Sequence, residues 1–115
     1  MNRSIHGLKS WLLQRLSAVY LLVYLVYFLA YMLVAPWRGY EAWRAWLALP
    51  AVNVATLAFF TAVLLHAWIG LRDVVMDYVH PFAWRMTVLV LTGGALLSMA
   101  LWVFLIMMTA GAWRQ

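Results

Sequence analysis

Residues 45–71 read AWLALPAVNVATLAFFTAVLLHAWIGL, an unbroken run without Asp, Glu, Lys or Arg. A helix needs about 20 predominantly apolar residues to cross the hydrocarbon core of a bilayer, so this run is long enough by itself. Two further uncharged runs flank it, Leu16 to Trp37 and Met86 to Trp113. Membrane barrel strands are about ten residues long and alternate in polarity, which none of these runs does. The expected fold is all-α: an integral membrane protein of one domain, residues 1–115, with three transmembrane helices at about 16–36, 50–72 and 86–112. Pro50 suits the first turn of the second helix, where its missing N–H costs nothing. From Ala51 to Leu71 a helix rises about 31 Å, one crossing with little tilt.

Composition agrees with this and excludes other classes. The chain is 69% hydrophobic and 10% charged, with a mean hydropathy of +0.92, whereas soluble domains are about a quarter charged. The net charge of +5 comes from cations scattered among the span ends, never in a patch, so no nucleic-acid partner is expected. Arg3, Lys9, Arg15, Arg72 and Arg85 fall on one side of the three spans, and Arg38, Arg44 and Arg114 on the other. The richer side should be cytoplasmic, which puts the N-terminus inside. No cysteine is present, which removes disulfides, thiolate metal sites and Cys nucleophiles. Leu33-Val34-Ala35 lacks a small-x-small cleavage pattern, so the first span is expected to stay in the mature protein.

Residues 1–15 set Arg3, Lys9 and Arg15 against Ile5, Leu8, Trp11 and Leu12, spacings that suit a short helix on the membrane surface. Arg15 stands where the first span begins, either snorkelling to headgroups or held for an anionic cofactor group or a quinone oxygen. Inside that span Tyr20, Tyr24, Tyr27 and Tyr31 recur at steps of four, three and four, with Ser17 continuing the stripe. Phenols at lipid depth need hydrogen-bond partners, so the stripe should face protein, as a packing seam or a cofactor wall. Pro36 to Arg44 reads as a loop whose Trp37, Tyr40 and Trp43, with Trp46, form an interfacial aromatic belt. In the third span Gly94 and Ser98, four apart, favour a neighbouring helix over lipid.

Chemistry concentrates between Leu64 and Pro81. His66 lies five residues before the end of the uncharged run, roughly 8 Å inside the cytoplasmic end. An ionisable residue at that depth is costly unless paired and marks a functional candidate. Ala62 and Gly70, one turn away on either side, leave room for a flat group such as haem against the helix; a hydrogen bond to a neighbouring helix is the competing reading. His6 and His80 lie outside the spans, so a second axial histidine would have to come from another subunit. If the helix continues to about Val79, His66, Gly70, Asp73 and Asp77 share nearly one face, with Asp77 about 16 Å from His66. Asp77 and Tyr78 would then sit at the rim. There a phenol can donate to a carbonyl oxygen while a carboxylate orients it or relays a proton. The competing reading pairs Asp77 with Arg72 or Arg85. Asp73 reads as the partner of its neighbour Arg72.

These residues carry a resemblance. His66-Ala67-Trp68-Ile69-Gly70, the His-x10-Asp-Tyr spacing to Asp77-Tyr78, the nearby Pro81 and the three-span layout resemble the small hydrophobic membrane anchor, the cytochrome b small subunit, of succinate dehydrogenase, respiratory complex II. The resemblance implies that His66 is a metal ligand, one axial ligand of a haem b shared with the C anchor subunit. It implies that Tyr78, supported by Asp77, helps bind ubiquinone, the substrate, beside the iron-sulfur subunit, and that Arg15 lies near the haem propionates. A flavoprotein subunit would oxidise succinate and pass electrons through the clusters to quinone. The chain itself would be a multi-pass protein of the bacterial inner membrane with no catalytic residue and no stand-alone activity. Two alternatives stand beside this: the anchor of a fumarate reductase, and a cofactor-free structural or transport subunit. A transporter would place polar groups at mid-membrane, and Asn53, Thr56 and Thr61 are too sparse to require that.

Overall fold

A computed structural model of the chain describes residues 2–35 and 39–112. Four helices follow one another: α1 (Asn2–Val34), α2 (Tyr40–Ala48), α3 (Pro50–Tyr78) and α4 (Phe82–Ala112). The three long ones, of 33, 29 and 31 residues, are long and apolar enough to cross a membrane. The described residues contain no strand. Pro36, Trp37 and Arg38 of the expected loop, and Trp113 and Arg114 near the C-terminus, lie outside the described residues.

Three expectations about local structure need correction. Residues 2–15 form no separate surface helix, because α1 runs unbroken from Asn2 to Val34; the segment has no proline to interrupt it, and Gly7 alone does not stop a helix. The first loop is shorter than expected, since Tyr40–Ala48 is helical. Gly39 opens α2 at φ 87°, a backbone conformation that favours glycine. Nor is the aromatic belt purely interfacial: Trp46 is 5% exposed and packs inward with Leu47, Met107 and Ala110.

Prolines set the boundaries. Pro50 disfavours helical backbone at the preceding residue, so Leu49 is extended at φ −61° and ψ 129°, and Pro50 opens α3. The chain therefore turns sharply within the uncharged run. At the far end Val79 caps α3 through its N–H to the Val75 carbonyl, 3.0 Å. Arg85 Nε donates to the Val79 carbonyl at 2.9 Å and ties the start of α4 to this turn.

α3 is the central helix. α1 and α4 pack antiparallel on it without close backbone approach to each other, and α2 lies across α3 and α4 at one end. The α1–α3 seam is polar and aromatic: Tyr20 Oη donates to the Ala55 carbonyl at 2.7 Å, and Tyr24 Oη meets Thr56 Oγ1 at 2.7 Å. Tyr24 stacks on Phe59, centroids 4.3 Å apart, and Tyr31 on Trp46 at 5.2 Å. The tyrosine stripe is thus a packing seam at Tyr20, Tyr24 and Tyr31, while Tyr27 turns half outward. On the other side Trp68 lies against Gly93, where an added Cβ would come 3.4 Å from the ring. Gly94 and Ser98 face away from the chain.

The result is an elongated bundle of 50 × 25 × 23 Å. It exposes 8805 Å², against about 6,400 Å² for a compact soluble monomer of this mass. Most of the large apolar side chains of α1 and α4 point outward. Such faces are stable in lipid or against another helix, not in water.

Candidate functional site

His66 sits on the face of α3 that meets α1, where the antiparallel register brings residues 10, 14 and 17 opposite residues 72, 70 and 66. Its Nδ1 is 3.1 Å from Ser17 Oγ. The Ser17 hydroxyl also donates to the Gln14 carbonyl at 2.9 Å, and Ser17 is 6% exposed. On the other side of the ring, His66 Nε2 is 3.5 Å from Gln14 Nε2, at the outer limit of a hydrogen bond. Gln14 Oε1 is buried with no protein partner. A buried amide oxygen without a partner is costly, and this one belongs to the side chain whose nitrogen approaches the ring.

A cleft of about 680 Å³ opens from this ring along the α1–α3 groove, with His6, Ser10, Arg15, His66, Arg72 and Asp73 on its walls. Arg15 reaches it with its guanidinium 5.6 Å from the Trp11 ring centroid. Arg72 clamps the two helices at the mouth: Nη2 donates to Ser10 Oγ at 3.1 Å and to Asp73 Oδ1 at 3.0 Å, and Nε donates to the same carboxylate at 3.2 Å. Asp73 is thus the ion-pair partner of Arg72, as its position next to it suggests. With Arg72 paired to Asp73, Arg15 is the arginine on this wall suited to an acidic substituent of a ligand.

The four residues singled out in the sequence fall into two groups. His66 and Arg15 share the cleft. Asp77 and Tyr78 do not line it: both are exposed in the last turn of α3, Tyr78 at 78%, and Asp77 is about 16 Å along the axis from His66. α3 does extend far enough to set His66, Asp73 and Asp77 on one face. Neither arginine considered for Asp77 takes it, since Arg72 bonds Asp73 and Arg85 bonds a backbone carbonyl.

Among the described residues no group of three or more His, Cys, Asp or Glu could cage a bare metal ion. His6 lies in the same cleft, but eight residues N-terminal to Gln14, about 12 Å along α1. That separation is too large to share one metal with His66, because metal–nitrogen bonds are about 2 Å.

Gln14, Ser10 and Arg72 carry the local geometry and were not singled out as site residues. The signal was present in part: Ser10, Gln14, Ser17, Tyr24 and Tyr31 fall at heptad-related steps and continue the tyrosine seam toward the N-terminus. What no periodicity shows is that this seam ends on His66.

Comparison with known proteins agrees with this architecture. The family described as "Succinate dehydrogenase/Fumarate reductase transmembrane subunit" matches residues 2–107. The "Succinate dehydrogenase hydrophobic membrane anchor subunit" of Coxiella burnetii (strain RSA 493 / Nine Mile phase I) is 32% identical over 76 residues, covering 66% of this chain and 66% of that relative. The family match spans all three long helices, His66 and the whole α1–α3 groove, and the chain belongs to the succinate dehydrogenase/fumarate reductase transmembrane subunit family.

Proposed function

We propose that this chain anchors a succinate:quinone oxidoreductase in a bacterial inner membrane, N-terminus on the cytoplasmic side, holding one face of a haem b and one wall of the ubiquinone site. The observation that carries the proposal is the arrangement at His66: a ring nitrogen 3.5 Å from the Gln14 carboxamide nitrogen, in a cleft that Arg15 also lines. In this reading His66 would supply one ligand to the haem iron, Arg15 would lie near the haem propionates, and the second histidine ligand would come from the C anchor subunit. Haem bound there supplies a one-electron reservoir near the quinone.

Tyr78 and Asp77 act at the rim. The Tyr78 phenol donates a hydrogen bond to a quinone carbonyl oxygen, and the Asp77 carboxylate orients that phenol and relays a proton. Their exposure in the isolated chain suits residues covered by the iron-sulfur subunit, which together with the flavoprotein subunit supplies the two electrons of quinone reduction. The polar groups of the spans are committed to packing: Asn53 bonds two carbonyls, Thr56 meets Tyr24, and Thr61 bonds the Leu57 carbonyl. That favours an anchor over a transport path.

The test is a reduced-minus-oxidised visible spectrum of the complex purified through this chain. A b-type signal is expected, and His66→Ala should remove most of it. Tyr78→Phe should lower quinone reduction at least tenfold with haem and assembly intact. A flat spectrum from an intact wild-type complex ends the haem reading, and normal quinone reduction in Tyr78→Phe ends the role given to the phenol.

A further inference from the structure

We infer that Ser17 is a positioning residue for His66: it holds the imidazole as the Nδ1–H tautomer and thereby leaves Nε2 as the ligating nitrogen. The inference rests on the haem reading above and specifies which atoms carry it out. Proton supply fixes the tautomer. A serine hydroxyl has one proton to give and two lone pairs. The Ser17 proton goes to the Gln14 carbonyl, an acceptor only, at 2.9 Å. The 3.1 Å contact between Ser17 Oγ and His66 Nδ1 is therefore donated by the ring. A neutral imidazole with its proton on Nδ1 has its lone pair on Nε2.

Position agrees with the proton count. Nδ1 is turned into the α1–α3 seam against a side chain only 6% exposed, so no ligand reaches it there. Nε2 is turned toward Gln14, whose carboxamide holds it loosely at 3.5 Å and leaves its own oxygen without a partner. Gln14 occupies the ligand position without satisfying it, and an incoming group displaces that side chain at little cost. The rival arrangement turns the carboxamide over, so that Oε1 accepts a proton on Nε2 while Ser17 donates to Nδ1. It gives up the 2.9 Å bond of Ser17 in exchange for a contact of only 3.5 Å.

Hydrogen bonds to the far nitrogen of a ligating histidine fix its orientation and raise its basicity, and losing one costs about 10–100-fold in affinity. The experiment compares complexes carrying Ser17→Ala, Ser17→Thr, Ser17→Val, Gln14→Met and His66→Ala, each assayed for haem per complex and for the midpoint potential of the haem. Ser17→Ala and Ser17→Val should weaken haem retention about 10–100-fold. The haem that remains should show a raised midpoint potential, because a less basic imidazole stabilises the ferric state less. Ser17→Thr, which keeps the hydroxyl, should restore both values, and Gln14→Met should change both less than Ser17→Val does. The Thr and Val variants differ by a hydroxyl against a methyl group, so their contrast decides the matter even if Ser17→Ala fails to assemble. Wild-type haem content and potential in Ser17→Val, beside loss of haem in His66→Ala, would overturn the inference and leave the haem reading standing. A Gln14→Met loss equal to that of Ser17→Val would favour the rival tautomer. Retention of haem by His66→Ala would instead remove the ligand assignment on which the inference rests.

Discussion

At the end of the bundle covered by α2, Trp46, Leu47, Met107 and Ala110 are all buried, with Phe28, Tyr31 and Trp43 packed around them. At the His66 end α1 and α3 enclose a cleft of about 680 Å³ and meet through polar side chains. The two ends lie about 20 Å apart along α3, by helical rise from Asn53 to His66. One end is a cluster of rings and apolar side chains around a smaller apolar cavity of about 290 Å³. The other is left open, with a buried oxygen unpaired. The α2 end is thus apolar and packed by rings and the His66 end polar, and each should respond to mutation in its own way.

The largest effect should come from Trp46→Ala, which removes a buried ring stacked on Tyr31 and in contact with Phe28 and Trp43. A loss of about 3–5 kcal/mol is expected, read from detergent unfolding of the purified chain. Complex that still assembles should keep its haem content. A matching loss of haem would show that the two ends are coupled.

Asn53→Ala comes next. Asn53 Nδ2 bridges the Leu47 carbonyl at 3.2 Å and the Met107 carbonyl at 3.1 Å, joining the end of α2 to α4. Removing it should cost about 1–3 kcal/mol in the same unfolding measurement, because the freed carbonyls sit in a poorly hydrated place. A smaller effect follows at mid-seam, where Tyr24→Phe and Thr56→Val should each cost about 0.6 kcal/mol, the usual worth of an interhelical hydrogen bond in a membrane protein. The double variant should lose no more than either single one, since both break the same bond.

Least affected should be the stability of Arg72→Gln. The Arg72–Asp73 pair is 42% and 57% exposed, so its loss should change unfolding by less than about 0.5 kcal/mol. A multi-kcal/mol change would mean that the cleft mouth holds the helices together, and would erase the contrast between the ends.

Much of this architecture was legible in local sequence. Charge-free length predicted the three long helices and Pro50 marked where α3 begins, whereas the shared face of His66, Asp73 and Asp77 depended on α3 continuing past the uncharged run, which it does as far as Tyr78. The tyrosine seam was legible as a seam, though not that Tyr27 leaves it. α2 was missed because nine residues rich in Trp and Tyr satisfy an interfacial belt and an inward-packing helix equally well. The two readings differ only in what the rings touch.

The sequence by itself determined that the chain is helical, how many long helices it has and where prolines and glycine break them. Those are properties of backbone chemistry and of apolar length within one segment. Tertiary structure alone decided that α3 is central, that Asn53 staples α2 to α4, and that Ser17 and Gln14 flank His66 across 49 and 52 residues of chain. The physical reason is register. Which turn of α1 faces which turn of α3 is set by the combined packing of many side chains along the seam, from Ser10 against Arg72 to Tyr24 against Thr56, and no single segment contains that sum.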